Sequence, residues 1–418
     1  MSARRVFLAY DDITISVFDS QVLVPIRKLQ ARGLPHDFIG FHTVGASFER
    51  ATRERIERLQ KEIEGRAVVL TTLPWLGRFD TWYPTLRVKR ALADLGIRHD
   101  EKVVVHARGH YAGAIALSLK RAYPNLGLIA NLRGLAGAEL RLYGMPNWPL
   151  YRLDWRIIGR TLLRRLDLWE RELARSADVV VCVSNAFRSH LCERYGIPEE
   201  RVEVVTTAVD AELFRFDPLA RDRVRRSLGL ESKLVFAFCG SSHKWELPGC
   251  ALRLLRRLLT ANADAHLLIL THGPARVEKE LARAGVPLES VTIRSVPHRQ
   301  VPGLLMAADV GLLIREDNVV NSVAAPTKFA EYLASGLPVL VSEGVGDTAE
   351  VVTRHAAGWL LNPSDRHADE VLQRIMDDRR GVVSPEFKRH CAQVGEKLYS
   401  WDAQIKPLLR AYERAERA

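Results

Sequence analysis

Short runs rich in β-branched residues alternate with longer stretches of helical periodicity along almost the whole chain. In the first half the runs predict seven strands: Val6–Tyr10, Asp37–Phe41, Ala67–Thr71, Lys102–His106, Gly127–Asn131, Asp178–Val183 and Val202–Val205. In the second half they predict six more: Lys233–Cys239, Ala265–Leu270, Ser290–Arg294, Asp309–Ile314, Pro338–Val341 and Gly358–Leu361. Strands that alternate with helices indicate parallel sheets covered by helices on both faces. Because so many strands exceed one ordinary sheet, we predict two doubly wound α/β domains.

The segment over residues 210–232 is the best domain boundary, because it holds Asp217-Pro218 and a charged helical stretch but no strand pattern. After Arg380 the strand pattern stops, and two amphipathic helices follow, at about Pro385–Leu398 and Trp401–Arg417. The predicted organisation is a first domain over residues 1–214, a linker over 215–232 and a second domain over 233–398.

Composition narrows the class of protein. The chain has 418 residues, 47% apolar and 27% charged, which excludes disordered and fibrous proteins. Its 61 Lys+Arg against 50 Asp+Glu give a net charge of +11, which suits nucleic acid, an anionic membrane surface or a phosphorylated substrate. Charged residues interrupt every apolar run, so we expect no transmembrane helix and no signal peptide. The five cysteines form no C-x-x-C pair, which is typical of reduced thiols in a cytoplasmic protein.

The positive charge is concentrated in one part of the chain. Between Lys102 and Arg165 there are 11 basic residues and only two acidic ones. Around Trp148–Arg175 arginines alternate with tryptophan and leucine in a helical pattern. Two interpretations remain open: an ordinary surface helix with solvated arginines, or an interfacial helix that faces anionic lipid.

Several well-known chemistries leave no trace in the sequence. There is no P-loop, no G-x-G-x-x-G, no G-x-S-x-G, no H-E-x-x-H and no D-x-D carboxylate pair. We therefore expect no dedicated metal site. The basic stretch also lacks the interleaved aromatics of a nucleic-acid module, so nucleic acid is not expected as a partner.

Polar and basic residues follow several of the predicted strands. In open parallel sheets ligands bind beyond the carboxyl ends of the strands, so these positions are candidates for a site. In the first domain they include Arg108, His110, Arg133 and Ser184, and in the second Ser241, Lys244, Val296, Arg315 and Glu316. Small and basic residues here suit a pyrophosphate, and acidic or neutral hydrogen-bonding residues suit sugar hydroxyls. Ser184 could equally be a helix N-cap, and His110 a satisfied loop histidine.

The stretch over residues 311–347 has the clearest local pattern. It predicts a strand, a polar loop, a helix opened by Pro326, a stop at Gly336-Leu337-Pro338 and another strand. The start of such a helix carries uncommitted N–H groups and a positive dipole end, which suit a diphosphate. Glu331 lies about one turn further in. From the residues alone, Glu331 could be a ligand-binding acid or the partner of a neighbouring Arg or Lys.

Three blocks resemble the GT-B glycosyltransferases of family 4, which are retaining enzymes that use nucleoside diphosphate sugars. The first is Ala177–Ser184 followed by Tyr195-Gly196 and residues 205–214. The second is Ala308–Leu313 followed by residues 326–339. The third is His106–Arg108 with Asn131–Gly134 and Glu139, which resembles a bacterial glycan subgroup.

The resemblance implies that the second domain binds the donor and that a last helix, residues 399–418, crosses back onto the first. Together with the strand-end positions it implies three groups of site residues. The expected catalytic residues are Arg108, Lys244 and Glu331. The expected donor-binding residues are Ser241, Val296, Arg315, Glu316, Ala325, Pro326, Thr327, Lys328 and Glu331. The expected acceptor-side residues are Ser20, Gln21, His110, Arg133 and Ser184.

Four positions depart from the family pattern. Val323 stands where the first acid of the E-x7-E motif belongs, and Ser241 where an arginine is usual. Asp19-Ser20-Gln21 replaces a glycine-rich loop, and Asn131 replaces an aspartate. These departures bear on the identity of the donor more than on the fold.

The expected activity is transfer of a sugar from a nucleotide donor to an acceptor hydroxyl, with retention and without a metal or other cofactor. The resemblance suggests a glycan or lipid-linked acceptor in envelope or exported polysaccharide synthesis, at the inner face of the membrane. A soluble secondary metabolite as acceptor remains an alternative. So does a catalytically silent GT-B subunit that stabilises an active partner, which Val323 and Ser241 would explain. An epimerase on the same fold is less favoured, because no acid pair is apparent.

Overall fold

The structure, a computed structural model, describes residues 3–13, 16–43, 49–63, 66–72, 81–144, 155–240, 248–261, 264–362 and 365–418. Contacts between residues divide the chain into two units. The first unit comprises Met1–Thr206 together with Gln404–Ala418, and the second comprises Thr207–Ala403. No helix in the described part of the chain is long and apolar enough to cross a membrane.

The first unit is built on a seven-stranded parallel sheet in the order β3-β2-β1-β4-β5-β6-β7. Its strands are β1 Arg4–Asp12, β2 Asp37–Thr43, β3 Ala67–Thr72, β4 Val103–Arg108, β5 Leu126–Asn131, β6 Val179–Cys182 and β7 Val202–Val204. Its described helices are α1 Ser16–Phe18, α2 Val24–Gln30, α3 Arg50–Glu62, α4 Trp82–Asp94, α5 Gly109–Lys120, α6 Ala136–Tyr143, α7 Trp155–Ser176 and α8 Asn185–Tyr195, with a π turn at Asp19–Leu23 and a 3-10 turn at Glu199–Arg201.

The second unit has a six-stranded parallel sheet in the order β10-β9-β8-β11-β12-β13. Its strands are β8 Leu234–Cys239, β9 Ala265–Leu270, β10 Val291–Arg294, β11 Val310–Leu313, β12 Val339–Ser342 and β13 Gly358–Leu361. Its described helices are α9 Pro218–Leu228, α10 Pro248–Ala261, α11 Pro274–Ala284, α12 Val301–Leu305, α13 Val319–Ser322, α14 Thr327–Ala334, α15 Thr348–His355, α16 Asp365–Asp377, α17 Arg379–Val383 and α18 Pro385–Tyr399, with 3-10 turns at Leu288–Ser290 and His298–Gln300. A last helix, α19 Trp401–Arg417, passes from the second unit into the first.

The predicted fold class is confirmed, since both sheets are parallel and doubly wound. All predicted strands are present, each within two residues of its expected ends. Central strands such as β4 and β5 are buried along their whole length, which explains why they read as continuous apolar runs. In each sheet the strand order reverses once, between β1 and β4 and between β8 and β11. The carboxyl ends of these strands are where open α/β sheets bind ligands.

The region predicted as a linker, residues 215–232, is mostly helix and belongs to the second unit. Asp217 caps α9, because its Oδ1 accepts hydrogen bonds from the N–H groups of Leu219 (2.9 Å) and Ala220 (3.1 Å). The charged helical stretch within this predicted linker forms α9, and its Arg221 and Arg225 are buried. Two buried arginines require a buried acid, and the structure supplies one.

Asp309, at the start of β11, is fully buried (0% exposed) and gathers three cationic side chains. We call Asp309, Arg221, Arg225 and Lys388 the Asp309 cluster. Arg221 Nη2 donates a hydrogen bond to Asp309 Oδ1, and Arg225 Nη1 donates one to Asp309 Oδ2 at 3.1 Å. The N–H of Val235, the second residue of β8, also donates to Asp309 Oδ2 at 2.8 Å. One carboxylate therefore connects α9, β8, β11 and α18.

Lys388 completes the cluster from α18. Its Nζ donates to the carbonyls of Ala308 (3.2 Å) and Asp309 (3.3 Å) and lies 3.8 Å from Asp309 Oδ1. Burial lowers the pKa of Lys388 to about 7, although Asp309 acts in the opposite direction. Burial alone would raise the pKa of Asp309, but the three cations outweigh it and lower that pKa. The carboxylate is thus held ionised in the core.

The last helix contributes a remote segment to the first unit. Arg5 Nε donates to Glu416 Oε1 at 2.6 Å, and Arg410 Nη2 donates to Glu203 Oε2 at 2.9 Å. Gln404 Oε1 accepts a hydrogen bond from the N–H of Thr206 at 3.0 Å. The first unit is therefore discontinuous in sequence.

The described part of α7 matches the ordinary surface helix of the two interpretations. Leu162, Leu166 and Trp169 are buried in a cluster with residues of α5 and α6, while Arg160 and Arg164 are exposed. The apolar stripe of this part is thus covered by protein. Side chains of residues 148–158 lie outside those that the structure describes.

Replacement of Asp309 tests the role of the cluster. We expect Asp309→Asn to lower the free energy of unfolding by about 3–5 kcal/mol, because it leaves buried cations without a counter-charge. Lys388→Met should cost far less, since two arginines still pair with the carboxylate. Urea unfolding followed by circular dichroism measures both changes, and equal midpoints for Asp309→Asn and the parent chain would refute the assignment.

Candidate active site

The loop after β11 is organised around one buried amide. Asn321 is fully buried, and its Nδ2 donates to the Glu316 carbonyl at 2.9 Å. Its Oδ1 accepts from Arg315 Nη1 at 3.2 Å. Its own N–H donates to Asn318 Oδ1 (3.0 Å), and its carbonyl accepts from the Gly346 N–H (3.0 Å). Asn321 therefore holds the loop in shape, and it is committed to that task rather than open to a ligand.

A close approach of backbone fixes the other side of this loop. Gly346 has φ +45°, and a Cβ on it would lie 1.8 Å from the carbonyl oxygen of Ala324. Only glycine fits here. The next carbonyl, that of Ala325, accepts from Thr207 Oγ1 at 2.8 Å. With both carbonyls directed into protein contacts, the chain enters α14 in a defined conformation.

Helix α14 is anchored to the sheet by Tyr332. The Tyr332 hydroxyl donates to the Leu312 carbonyl (3.3 Å) and accepts from the Cys239 N–H (2.8 Å). Gly311 lies under the ring, and a Cβ there would be 2.6 Å from it. These contacts set the position and rotation of α14 on β8 and β11. The neighbouring residue in the helix is Glu331.

Glu331 is largely buried (6% exposed), and its side-chain partner is a histidine. His298 Nε2 lies 2.9 Å from Glu331 Oε1, within hydrogen-bond distance. The His298 ring in turn packs against Phe214, with ring centroids 5.5 Å apart. The alternative that Glu331 pairs with a neighbouring Arg or Lys is therefore not what the described residues show.

The other residues expected on the donor side have diverse environments. Arg315 is half-buried, and its N–H donates to Ser342 Oγ at 2.9 Å. Glu316 is exposed and Val296 half-buried. Pro326 directly precedes α14, Thr327 and Lys328 open it, and no side chain caps its start. Ser241 and Lys244 lie outside the described residues. Val323 is buried, so nothing acidic replaces the missing first acid at that position.

In the first unit, His106 lies in a buried network in the middle of the sheet. Its Nδ1 is 2.8 Å from the Tyr412 hydroxyl, and its Nε2 is 2.9 Å from Asn131 Nδ2. Burial lowers the pKa of His106, and electrostatic interaction with His36, Arg108 and Arg133 lowers that pKa further. The ring is therefore neutral, and its contacts attach the last helix to β4 and β5.

His110, expected on the acceptor side, is instead enclosed within the first unit. Its Nε2 lies 3.2 Å from Glu170 Oε2, and Tyr195 donates to Glu170 Oε1 at 2.6 Å. Burial, followed by the hydrogen bond to Glu170, raises the pKa of Tyr195 to about 12. All three side chains are buried, so His110 is a satisfied core histidine joining α5, α7 and α8.

Three residues expected on the acceptor side do come together. Arg133 Nη2 donates to Gln21 Oε1 at 3.4 Å, and Gln21 Nε2 donates to Ser20 Oγ at 3.4 Å. The Glu139 carboxylate lies over Gly134, where a Cβ would be 2.6 Å from Oε1. We call Arg133, Gln21, Ser20 and Glu139 the Arg133 cluster. Its side chains can offer hydrogen-bond donors and acceptors to a hydroxylated or anionic ligand.

The remaining two expected residues lie at or just beyond the carboxyl ends of β4 and β6. Arg108 is the last residue of β4 and immediately precedes α5, with its side chain mostly buried. Ser184 is buried and caps α8, because its Oγ accepts from the Phe187 N–H at 3.0 Å. Of the two interpretations of Ser184 from the sequence, a site residue or a helix N-cap, the structure shows the N-cap.

The stretch Ser295–His298 also lies at a predicted strand end, but nothing in the sequence selects His298 within it. His298 follows β10, as the strand-end argument requires, but only its contact with Glu331 distinguishes it from other loop histidines. As for metals, the described residues contain no group of three or more His, Cys, Asp or Glu side chains placed to hold an ion.

The fold and the strand-end sites define the class: two doubly wound domains of the GT-B type. Sequence models of known families identify it further. The model "Glycosyltransferase Family 4" matches residues 26–213, and "Glycosyl transferases group 1" matches residues 233–377. The chain belongs to the GT-B glycosyltransferases of family 4, as its sequence motifs predicted.

Individual relatives of known activity share about a quarter of their residues with this chain. The chain is 27% identical over 417 residues to a D-inositol 3-phosphate glycosyltransferase of Nocardioides, covering 93% of this chain and 83% of that protein. The same activity is named for a Corynebacterium urealyticum protein, 25% identical, of which the chain spans only 58%. A GDP-mannose-dependent phosphatidylinositol monomannoside mannosyltransferase of Mycolicibacterium smegmatis is 26% identical over 62% of this chain and 68% of that protein.

Solved structures confirm the fold. HepE of Anabaena, in complex with UDP, superposes with a TM-score of 0.68 at 15% identity, covering 98% of this chain and 99% of that one. Sucrose-phosphate synthase of Thermosynechococcus elongatus gives a TM-score of 0.70 at 16% identity, covering 98% of each chain. At such identities the likeness concerns the fold alone.

The buried histidines of the first unit predict a pH dependence of stability. Burial lowers the pKa of His36 to about 4, while an unfolded histidine titrates near 6.5. Below pH 6.5 the histidine is therefore protonated in the unfolded state but stays neutral in the folded state. The free energy of unfolding falls as the pH drops towards 4. Each such histidine contributes a slope of up to ~1.4 kcal/mol per pH unit.

The variant His36→Asn isolates one of these contributions. His36 Nδ1 lies 2.8 Å from the Leu34 carbonyl, and asparagine keeps a donor there while removing the titration. Unfolding free energies measured between pH 7 and 4.5 should show a shallower slope for this variant. A slope identical to that of the parent chain would contradict the prediction.

Proposed function

We propose that this chain transfers a sugar from a nucleoside diphosphate donor to an acceptor hydroxyl, with the donor bound on the second unit. The observation that carries the proposal is the Glu331 carboxylate, held on α14 one turn from an uncapped helix start. A carboxylate there suits the hydroxyls of a nucleotide ribose, and the helix start suits a diphosphate. Support comes from HepE, which binds UDP and UDP-glucose, and from the mannosyltransferase relative, which uses GDP-mannose.

The chemical task is to stabilise the diphosphate as it leaves. Negative charge that develops on the leaving group is best met by groups already in place. We assign this role to the start of α14, and the family resemblance adds Arg108 and Lys244 as candidate cations. With cationic side chains available and no D-x-D motif in the sequence, the proposal requires no resident metal or cofactor.

Retention follows from the same residues in this proposal. No carboxylate is assigned as a nucleophile, so the acceptor hydroxyl attacks from the face that the diphosphate leaves. The oxygen of the departing phosphate accepts the proton of that hydroxyl. The new glycosidic bond thus forms on the side of the broken one.

For the acceptor we propose binding at the Arg133 cluster of the first unit. Arginine and amide groups suit a polyol that carries an anionic group. Relatives named as inositol phosphate and phosphatidylinositol mannoside enzymes support this chemistry, and a lipid-linked or envelope glycan is the proposed context. Glycosylation of a soluble metabolite is the alternative acceptor chemistry.

We further propose peripheral binding to an anionic membrane at the cytoplasmic side, through α4 rather than α7. Trp82, Tyr83 and Leu86 are exposed on α4, at 67%, 43% and 44%. Arg87 and Arg90 follow on the same helix, and among the described residues no carboxylate pairs with either. Aromatic side chains beside basic ones are typical of interfacial helices.

Glu331→Gln tests the donor site. Loss of a charge-assisted hydrogen bond should weaken nucleotide binding about 10- to 100-fold, with little change in the ligand-free unfolding midpoint. Thermal shift with UDP-, GDP-, dTDP- and ADP-linked sugars measures the effect. Glu350→Gln, which changes an exposed acid of α15, is the matched control and should bind like the parent chain. Unweakened binding by Glu331→Gln would remove Glu331 from the site.

Turnover by the purified chain separates the enzyme from the silent subunit. An active transferase should release free nucleoside diphosphate from the donor that stabilises it, at least slowly, with water as acceptor. A chain that binds a donor but releases none, even with candidate acceptors present, would instead be the silent subunit suggested by Val323 and Ser241.

Membrane binding has its own test. The triple variant Trp82→Ala, Arg87→Glu, Arg90→Glu should lose most of its co-sedimentation with vesicles rich in phosphatidylserine. Its control, Arg160→Glu with Arg164→Glu, changes charge by a similar amount on α7, whose described apolar face is covered, and should retain binding. Loss of binding only in the control would move the surface to α7.

A further inference from the structure

His298 and Glu331 reach each other from segments far apart in the sequence. His298 lies on a 3-10 turn after β10, and Glu331 lies on α14. Their contact joins Nε2 to Oε1 at 2.9 Å. Among the described residues no other group forms a hydrogen bond with the Glu331 side chain, so Oε2 is left available. Because Oε1 is engaged and Oε2 is not, the carboxylate is oriented.

The histidine itself is held in place. Its turn is closed by the Gln300 N–H, which donates to the Pro297 carbonyl at 2.8 Å. Its ring packs on Phe214, which is buried and whose own N–H donates to the Asp210 carbonyl at 2.9 Å. The side chain is 28% exposed, so it lies at the edge of the core rather than inside it. These are the properties of a support that faces a ligand site.

We propose that His298 is a positioning residue for the donor nucleotide. Its Nε2–H donates to Glu331 Oε1 and fixes the carboxylate, so that Oε2 accepts hydrogen bonds from the ribose hydroxyls. This inference rests on the proposed function, since it needs a nucleotide at Glu331. The buried hydrocarbon of Val323 offers no second acceptor at its position, which makes the orientation of Glu331 more important.

The consequence is selectivity for ribose. If His298 acts only through Glu331, its removal weakens contacts to the ribose hydroxyls and leaves contacts to the base and the diphosphate unchanged. A merely structural histidine would weaken all of these contacts together. The two roles therefore differ in how a variant treats nucleotides with and without the hydroxyls.

The probes are UDP and GDP and their 2′,3′-dideoxy analogues, with affinities measured by isothermal titration calorimetry. The parent chain should bind one of the two ribonucleotides at least tenfold more tightly than its dideoxy analogue. His298→Ala should lose about tenfold for the ribonucleotide and nothing for the analogue. His298→Gln, whose amide can donate to Glu331, should recover most of the loss. Gln300→Ala, from the same turn, is the matched control and should bind like the parent chain.

Coupling to Glu331 is tested with the double variant. His298→Ala combined with Glu331→Gln should bind no more weakly than Glu331→Gln alone, because both changes remove the same contact. Additive losses, or an equal loss for ribonucleotide and analogue in His298→Ala, would overturn the inference while the proposed function stands. A parent chain that binds neither UDP nor GDP would overturn the inference. The proposed function falls with it only if none of the four nucleotide sugars of the thermal-shift panel stabilises the chain. Ligand-free unfolding midpoints identify any variant that fails to fold, in which case His298→Gln alone decides through its ribonucleotide-to-analogue ratio.

Discussion

The second unit depends on a single buried carboxylate. Asp309 takes hydrogen bonds from Arg221, Arg225 and the backbone of Val235, and Lys388 adds a third cation. Burying these groups is costly, and only their mutual contacts offset the loss of water. The arrangement fixes α9 and α18 against β8 and β11. Because the loop that leads to Glu331 begins at the far end of β11, the geometry of the candidate site rests on this charge cluster.

The side chains of the candidate site differ in how many of their hydrogen bonds are already made within the protein. Tyr332 and Asn321 are buried and fully engaged, and they hold α14 and its preceding loop. His298 is hydrogen-bonded to Glu331, and its side chain is partly exposed. Glu331 then presents one oxygen that no described group occupies. A ligand would thus meet side chains whose orientation is set before it arrives, which lowers the entropy lost on binding.

Periodicity and strand-end positions predicted the fold and most of its strands because parallel sheets impose long apolar runs that are legible locally. Strand-end positions and the family resemblance also gave Glu331, Gln21 and Arg133 as candidate site residues. They could not reveal that His298 pairs with Glu331, since the two are 33 residues apart and meet only in three dimensions. For the same reason the sequence predicts a linker at the charged stretch around Arg221. Its arginines look solvated until Asp309, 88 residues away, is brought beside them.

The division of the chain bears on how such proteins can recombine. Since Gln404–Ala418 completes the first unit, the second unit is in effect an insertion between residues 206 and 404. Exchange of the second unit for that of a relative therefore needs two crossovers. A single crossover would also import a foreign last helix, whose residue at the place of Tyr412 must fit both His106 and His36. Those three positions should act as a compatibility filter in natural or engineered chimeras.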